Sequence, residues 1–180
     1  ANAASCTPWT DCGDDEIFTG EPTSSSDRAC TPCPGFAKST GPNATECVPG
    51  IPTFSSLSAG GFHTCGIRAS DSLAQCWGYG EYGEATPPAG TVFASLSANG
   101  NYTCGIRASD GQAQCWGQTG GGQSTPPAGV VFTSLSAGLA HTCGLRASDD
   151  QAQCWGYDGD GQATPPAGTV FASLSAGGYH

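Results

Sequence analysis

The chain has 180 residues, only 11% of them charged, and its formal net charge is −10. Five Lys and Arg against fifteen Asp and Glu exclude the clustered basic footprint of a nucleic-acid surface, and an anionic membrane would repel such a chain. No apolar run reaches the roughly 20 residues of a spanning helix. Eleven regularly spaced cysteines among abundant Gly, Ser, Thr and Pro indicate an oxidising, extracellular or cell-surface setting. Two N-glycosylation acceptors agree with it, Asn43-Ala44-Thr45 and Asn101-Tyr102-Thr103. The chain opens at Ala1 without Met or a visible signal peptide, so a processed product or a fragment is expected.

Residues 1–49 carry Cys6, Cys12, Cys30, Cys33 and Cys47 with little apolar content. So small a segment needs covalent staples to fold. Its stretch "PTSSSDRACTPCPGF" resembles the cysteine-rich modules of tumour-necrosis-factor receptors and ephrin-receptor-like repeats. That resemblance implies pairs Cys12–Cys30 and Cys33–Cys47. Cys6 is then left over, because eleven cysteines cannot all pair. Its expected partner lies upstream of Ala1; a bridge to another chain is the alternative. Residues 50–53 form a linker, stiffened by the flanking Pro49 and by Pro52.

From residue 54 the chain repeats itself every 39 residues, as Phe54, Phe93, Phe132 and Phe171 show. Cys65, Cys104 and Cys143 keep the same period, and so do Cys76, Cys115 and Cys154 and the tryptophans Trp77, Trp116 and Trp155. Three full units cover 54–92, 93–131 and 132–170, and a partial fourth covers 171–180, about 3.3 units in all. A unit broken off there would leave an open strand edge, so the array is expected to continue past His180 or to be completed by a partner chain. Within a unit, "FSSLSAGG" alternates small apolar and polar residues, and "HTCGIRA" and "AQCWG" are short strands around a turn. Asp110-Gly111 is a hairpin signal. The connector "ATPPAGTV" suits neither a helix nor a central strand. No stretch sustains the 3.6-residue period of a helix. One unit cannot bury both faces of its strands, so units must stack, as propeller blades do.

The recurring cysteines admit three readings. Zinc sites need closely spaced CxxC pairs and four ligands; Cys65 and Cys76 are too far apart, and the nearby histidine becomes Tyr102 in the second unit. A redox pair needs CxxC beside a βαβ pattern, which is absent. A hairpin folded about Ser70-Asp71 instead sets Cys65 opposite Cys76, close enough to bridge. The expected disulfides are therefore Cys65–Cys76, Cys104–Cys115 and Cys143–Cys154. Trp77, Trp116 and Trp155 are expected to pack on the adjacent blade, and Phe54, Phe93, Phe132 and Phe171 to be core. Arg68, Arg107 and Arg146 precede Asp71, Asp110 and Asp149 by three residues and are expected to buttress the turns. "YDGDGQ" at 157–162 offers Asp158 and Asp160 to calcium but lacks the third acid and distal Glu of an EF-hand, so no cofactor or metal is expected. The Thr-Pro-Pro steps at Pro87, Pro88, Pro126, Pro127, Pro165 and Pro166 are acceptors for sugar if hydroxylated.

"LSAGGFHTCGI…CWGYGEYGEATPP" resembles the RCC1-type repeat, and its short unit with paired cysteines is similar to the crinkly-type repeats of plant receptor-kinase ectodomains. The resemblance spans 54–180 and implies blades of a seven-bladed β-propeller. The expected fold is therefore all-β: a partial RCC1-like propeller behind a small disulfide-rich module. No nucleophile–base–acid grouping is evident, and repeated residues suit packing better than one asymmetric catalytic site. An enzyme is not expected. Near-identical units and dense cysteines point to a glycosylated building block of a surface filament, flagellar hair or wall layer, held by protein partners or copies of itself. The crinkly-type resemblance implies the alternative, a ligand-binding receptor ectodomain. Positions 60–63, 79–84 and their copies vary most and form the candidate contact rim.

Overall fold

The computed structural model describes residues 52–180 and, in the preceding part, the backbone of four short strands. These are β1 (Glu16–Phe18), β2 (Cys30–Pro32), β3 (Ala37–Ser39) and β4 (Cys47–Pro49), paired antiparallel as β1–β2 and β3–β4. Cys6, Cys12, Cys33 and Asn43 lie outside the described residues, and of Cys30 and Cys47 only the backbone is described, so the expected pairs Cys12–Cys30 and Cys33–Cys47 fall outside them too. The chain divides into two compact units, Ala1–Pro52 and Thr53–His180.

The second unit is built from three-stranded antiparallel meanders, one per repeat. The first holds β5 (Phe54–Ala59), β6 (His63–Arg68) and β7 (Ala74–Gly78). The second holds β8 (Phe93–Asn99), β9 (Tyr102–Arg107) and β10 (Ala113–Gly117). The third holds β11 (Phe132–Ala137), β12 (His141–Arg146) and β13 (Ala152–Gly156). Among the described residues there is no helix. The Pro-rich connectors stay irregular and end in a single bridge back to the preceding turn, as Val92 to Leu73 and Val131 to Gln112.

The register within each hairpin places cysteine directly opposite cysteine: Cys65↔Cys76, Cys104↔Cys115 and Cys143↔Cys154. Their Cα atoms stand 4.0–4.1 Å apart, the close approach of a non-hydrogen-bonded antiparallel pair. Each pair is joined as a disulfide. The turn joining the two strands is tightened by Asp71 Oδ1, which accepts the Leu73 N–H at 3.1 Å. Asp110 and Asp149 do the same for Gln112 and Gln151, at 3.0 and 3.2 Å. The next position is left-handed, with φ 70° at Gly111, and Ser72 and Asp150 hold it at 58° and 54° without glycine's freedom.

The sequence did not disclose a bulge that recurs at the start of each first strand, where pairing skips from Phe54 to Ser56, Phe93 to Ser95 and Phe132 to Ser134. Phe93 and Leu96 then both lean over Gly105. A Cβ there would sit 2.5 Å from the Phe93 ring and 2.8 Å from Leu96. The strand-interior glycine is the space these two side chains need.

The core lies between repeats. Cys65 and Ile67 of the first repeat pack with Phe93 and Trp116 of the second. Tyr102, Cys104 and Ile106 of the second pack with Phe132 and Trp155 of the third. The first and second disulfides therefore face the Phe and Trp of the following repeat. Backbone and serine bonds repeat the stitch: Ser58, Ser97 and Ser136 Oγ accept the N–H of Ala98, Ala137 and Ala176 at 2.8–2.9 Å. Residues 171–180 form no regular strand, yet Phe171 donates its N–H to Asp150 O at 3.0 Å.

Candidate interaction rim

The β5–β6 turn at 60–62 and the segment 79–84 leave the sheet at the same end, because His63 pairs with Gly78. Their copies follow the same register. Neighbouring rims are tied together, with Gly61 N–H to Gly100 O at 3.1 Å and Leu139 N–H to Gly177 O at 3.3 Å. Within a repeat, the two loops are joined by Tyr79 N–H to Phe62 O, Gln118 N–H to Asn101 O and Tyr157 N–H to Ala140 O, at 2.8–2.9 Å. The most variable segments thus form one connected edge on a largely constant scaffold.

A buried polar layer supports that edge. His63 Nε2 meets Thr103 Oγ1 of the next repeat at 2.7 Å. In the second repeat Tyr102 takes the same place; its hydroxyl donates to His141 O at 2.5 Å and lies 3.0 Å from Gly138 O and 2.9 Å from Thr142 Oγ1. Burial pushes the Tyr102 phenol up to about 12. Trp116 Nε1 donates to Glu84 O at 3.0 Å and Trp155 Nε1 to Gln123 O at 2.9 Å. Both tryptophans therefore dock on the repeat that precedes them. Trp77, in the first repeat, remains 44% exposed, stacking only on Phe54 at 5.5 Å among the described residues. Phe93 and Phe132 are buried, whereas Phe54 and Phe171 are half-buried.

Burial also holds the imidazoles of His63 and His141 below their usual range; Glu84 opposes this at His63, while His180 adds to it and Asp158 opposes it at His141. The unfolded chain titrates near the ordinary value of about 6.5. At that pH it binds more protons than the folded chain, so stability rises with pH. The histidine contribution is complete above about pH 7.5 and declines as pH falls through about 6.5. Chemical unfolding at about pH 7.5 and 5.5 is expected to show this loss, and His63→Gln with His141→Gln to flatten it. An unchanged slope in the double variant would contradict the assignment.

The rim surface is aromatic and acidic. Phe62, Tyr79 and Tyr82 are 76%, 43% and 49% exposed, with centroid separations of 6.3 Å for Phe62–Tyr79 and 6.5 Å for Tyr79–Tyr82. The Tyr79 hydroxyl donates to Glu81, which pushes the phenol up to about 12. An open groove of about 440 Å³ runs across three repeats, with Phe62, Asn101, Gln118 and Leu139 among its walls. Asn101 is therefore a groove residue, while Tyr102 and Thr103 of its glycosylation signal are fully buried. Asp158 is used internally: its oxygens accept the Ala163 N–H at 2.8 Å and the Thr164 hydroxyl at 2.6 Å, which lowers its pKa. Among the described residues, no three His, Cys, Asp or Glu side chains converge as a metal site.

The opposite end differs. Arg68, Arg107 and Arg146 each bind the turn aspartate through two bonds, as Arg107 Nε and Nη2 do to Asp110 at 3.1 and 2.6 Å. These guanidiniums hold Asp71 and Asp110 below the usual carboxylate range. At Asp149 desolvation pushes up, but the Gln151 N–H and Arg146 prevail and the net shift is downward. Pro87, Pro88, Pro126, Pro127 and Pro165 of the connectors are half-buried, and Pro166 is exposed. The Glu84 layer and the groove escaped sequence reading because both arise only when repeats pack together. The available signal was the variability of 60–63, 79–84 and their copies.

Residues 132–162 match the family described as "Regulator of chromosome condensation (RCC1) repeat", and the blades are RCC1-like propeller units. Solved structures narrow the likeness to the crinkly type. The ectodomain of the Physcomitrella patens receptor kinase CR4 is 34% identical, with a TM-score of 0.62 over 75% of this chain and 36% of that one. The CRINKLY WD40 ectodomain of the Arabidopsis thaliana receptor kinase ACR4 is 25% identical, with a TM-score of 0.61 over 84% of this chain and 53% of that one. Prp20p from Saccharomyces cerevisiae, 18% identical over 60% of this chain and 33% of that one with a TM-score of 0.50, shares the fold alone. No curated protein matches the chain. The chain thus spans 36% and 53% of the two receptor ectodomains it resembles.

Proposed function

We propose that this chain is a non-catalytic, ligand-binding segment of an extracellular or cell-surface protein, and that the rim of loops 60–62, 79–84 and their copies is its contact surface. One observation carries the reading: the segments that differ most between repeats are gathered at one edge and include exposed Phe62, Tyr79 and Tyr82. Constant positions suit packing, whereas variable exposed aromatics suit recognition. The disulfides fit an oxidising compartment, and the CR4 and ACR4 structures it resembles are receptor ectodomains. A glycan on Asn43 belongs to the same reading, whereas one on Asn101 would compete with a ligand for the rim groove. The filament-subunit reading rests on repeat uniformity, which inter-repeat packing already requires.

Selection of a displayed random-peptide library on the immobilised chain tests this. Binders are expected to lose at least tenfold in affinity for Phe62→Ala/Tyr79→Ala/Tyr82→Ala and to tolerate Arg107→Ala/Asp110→Ala at the opposite end. Binders indifferent to the rim, or no binders at all, would refute it.

A further inference from the structure

We propose that the ligand of this rim is a cationic polypeptide segment, one presenting Arg or Lys side chains to the aromatic loops; the proposal rests on the rim being the binding surface. Charge is segregated within Thr53–His180. All three arginines of that unit lie in the turns at the opposite end, each held by its aspartate. The rim has no Lys or Arg of its own and carries exposed Glu81, Asp158 and Asp160. An anionic ligand would meet these carboxylates without compensation.

The aromatic geometry fits the same ligand. The contiguous Phe62, Tyr79 and Tyr82 rings offer faces to a guanidinium or ammonium group, which is attracted within about 6 Å of a ring centroid. Glu81 stands beside them, bonded to the Tyr79 hydroxyl, and can accept charge-assisted hydrogen bonds from the same cation. The groove leads from Phe62 past Asn101 to Leu139, and Tyr157, 50% exposed, follows in the third rim with Asp158 and Asp160 after it. An extended segment crossing the groove would thus find aromatic and acidic groups at both ends, with the amides of Asn101 and Gln118 and the Leu139 side chain between. A neutral sugar could use the rings but would gain nothing from the carboxylates.

Two labelled twelve-residue Gly/Ser peptides separate these cases, one carrying four Arg and its twin carrying four citrullines, equal in shape but neutral. The full chain is produced without N-glycosylation, because Asn101 lines the groove. Fluorescence anisotropy is expected to show the Arg peptide binding at least tenfold more tightly than its twin. Phe62→Ala/Tyr79→Ala/Tyr82→Ala, whose net charge is unchanged, is expected to lose at least tenfold. Glu81→Gln/Asp160→Asn is expected to lose severalfold and to flatten the salt dependence. Equal binding of the twins overturns the cationic assignment, and if library-selected peptides still require the rim, the binding surface itself stands. Undiminished Arg-peptide binding by the aromatic variant overturns it too, as diffuse charge attraction, with near-ultraviolet circular dichroism checking that each variant is folded.

Discussion

Trp116→Ala is expected to lower the unfolding free energy of the repeat array by about 4 kcal/mol, the usual cost of emptying a buried aromatic site. Trp116 is 8% exposed and closes the cluster of Cys65, Ile67 and Phe93 between the first two repeats. Its ring lies 5.4 Å from that of Phe93, and its indole N–H is the one that reaches Glu84 O. Truncation therefore opens a cavity and leaves a buried carbonyl without its partner, and both effects add to the loss. In an array, stability is close to a sum of repeat and nearest-neighbour terms. The cost should fall on the contact between the first and second repeats, broadening the unfolding transition. Trp77→Ala is the internal control, since that ring is 44% exposed, and about 1–2 kcal/mol is expected there. Guanidinium unfolding followed by circular dichroism would decide. Equal costs at the two positions would show that burial between repeats is not what tryptophan provides.

Removing the second disulfide, as Cys104→Ala/Cys115→Ala, is expected to cost about 3 kcal/mol, and more than removing the third as Cys143→Ala/Cys154→Ala. The loop-closure contribution should be nearly the same for both, because each bridge closes a sequence separation of 11. Packing differs. Cys104 is fully buried against Phe132 and Trp155 of the following repeat, whereas Cys143 is half-buried. The difference between the two double variants isolates the packing contribution from the chain-entropy contribution. A larger loss at the third bridge would contradict the inter-repeat core.

Much of this was legible in the sequence because it is periodic or local. The 39-residue spacing of Phe, Cys and Trp sets the repeat, and folding about Ser70-Asp71 places Cys65 opposite Cys76. The Arg–Asp pairs are visible three residues apart. What stayed hidden depends on how one repeat meets the next. No spacing reveals that Trp116 reaches back to Glu84 while Phe93 covers the cysteines of the first repeat, since both directions have the same period. The replacement of histidine by tyrosine at 102 reads as a lost ligand in sequence. In the structure it is a different way of reaching the third repeat, through Gly138, His141 and Thr142. The bulge after Phe54 was equally silent, because alternation through "FSSLSA" is short and built from small residues.

Hydrogen–deuterium exchange of the chain with and without a library-selected peptide tests most directly where it makes contact. Bound peptide is expected to slow exchange in 60–62, 79–84, 99–101 and 118–123, the loops that meet at the groove. Protection at the Arg–Asp turns, 69–72 and 108–111, with the rim unchanged, would contradict a rim-centred binding surface.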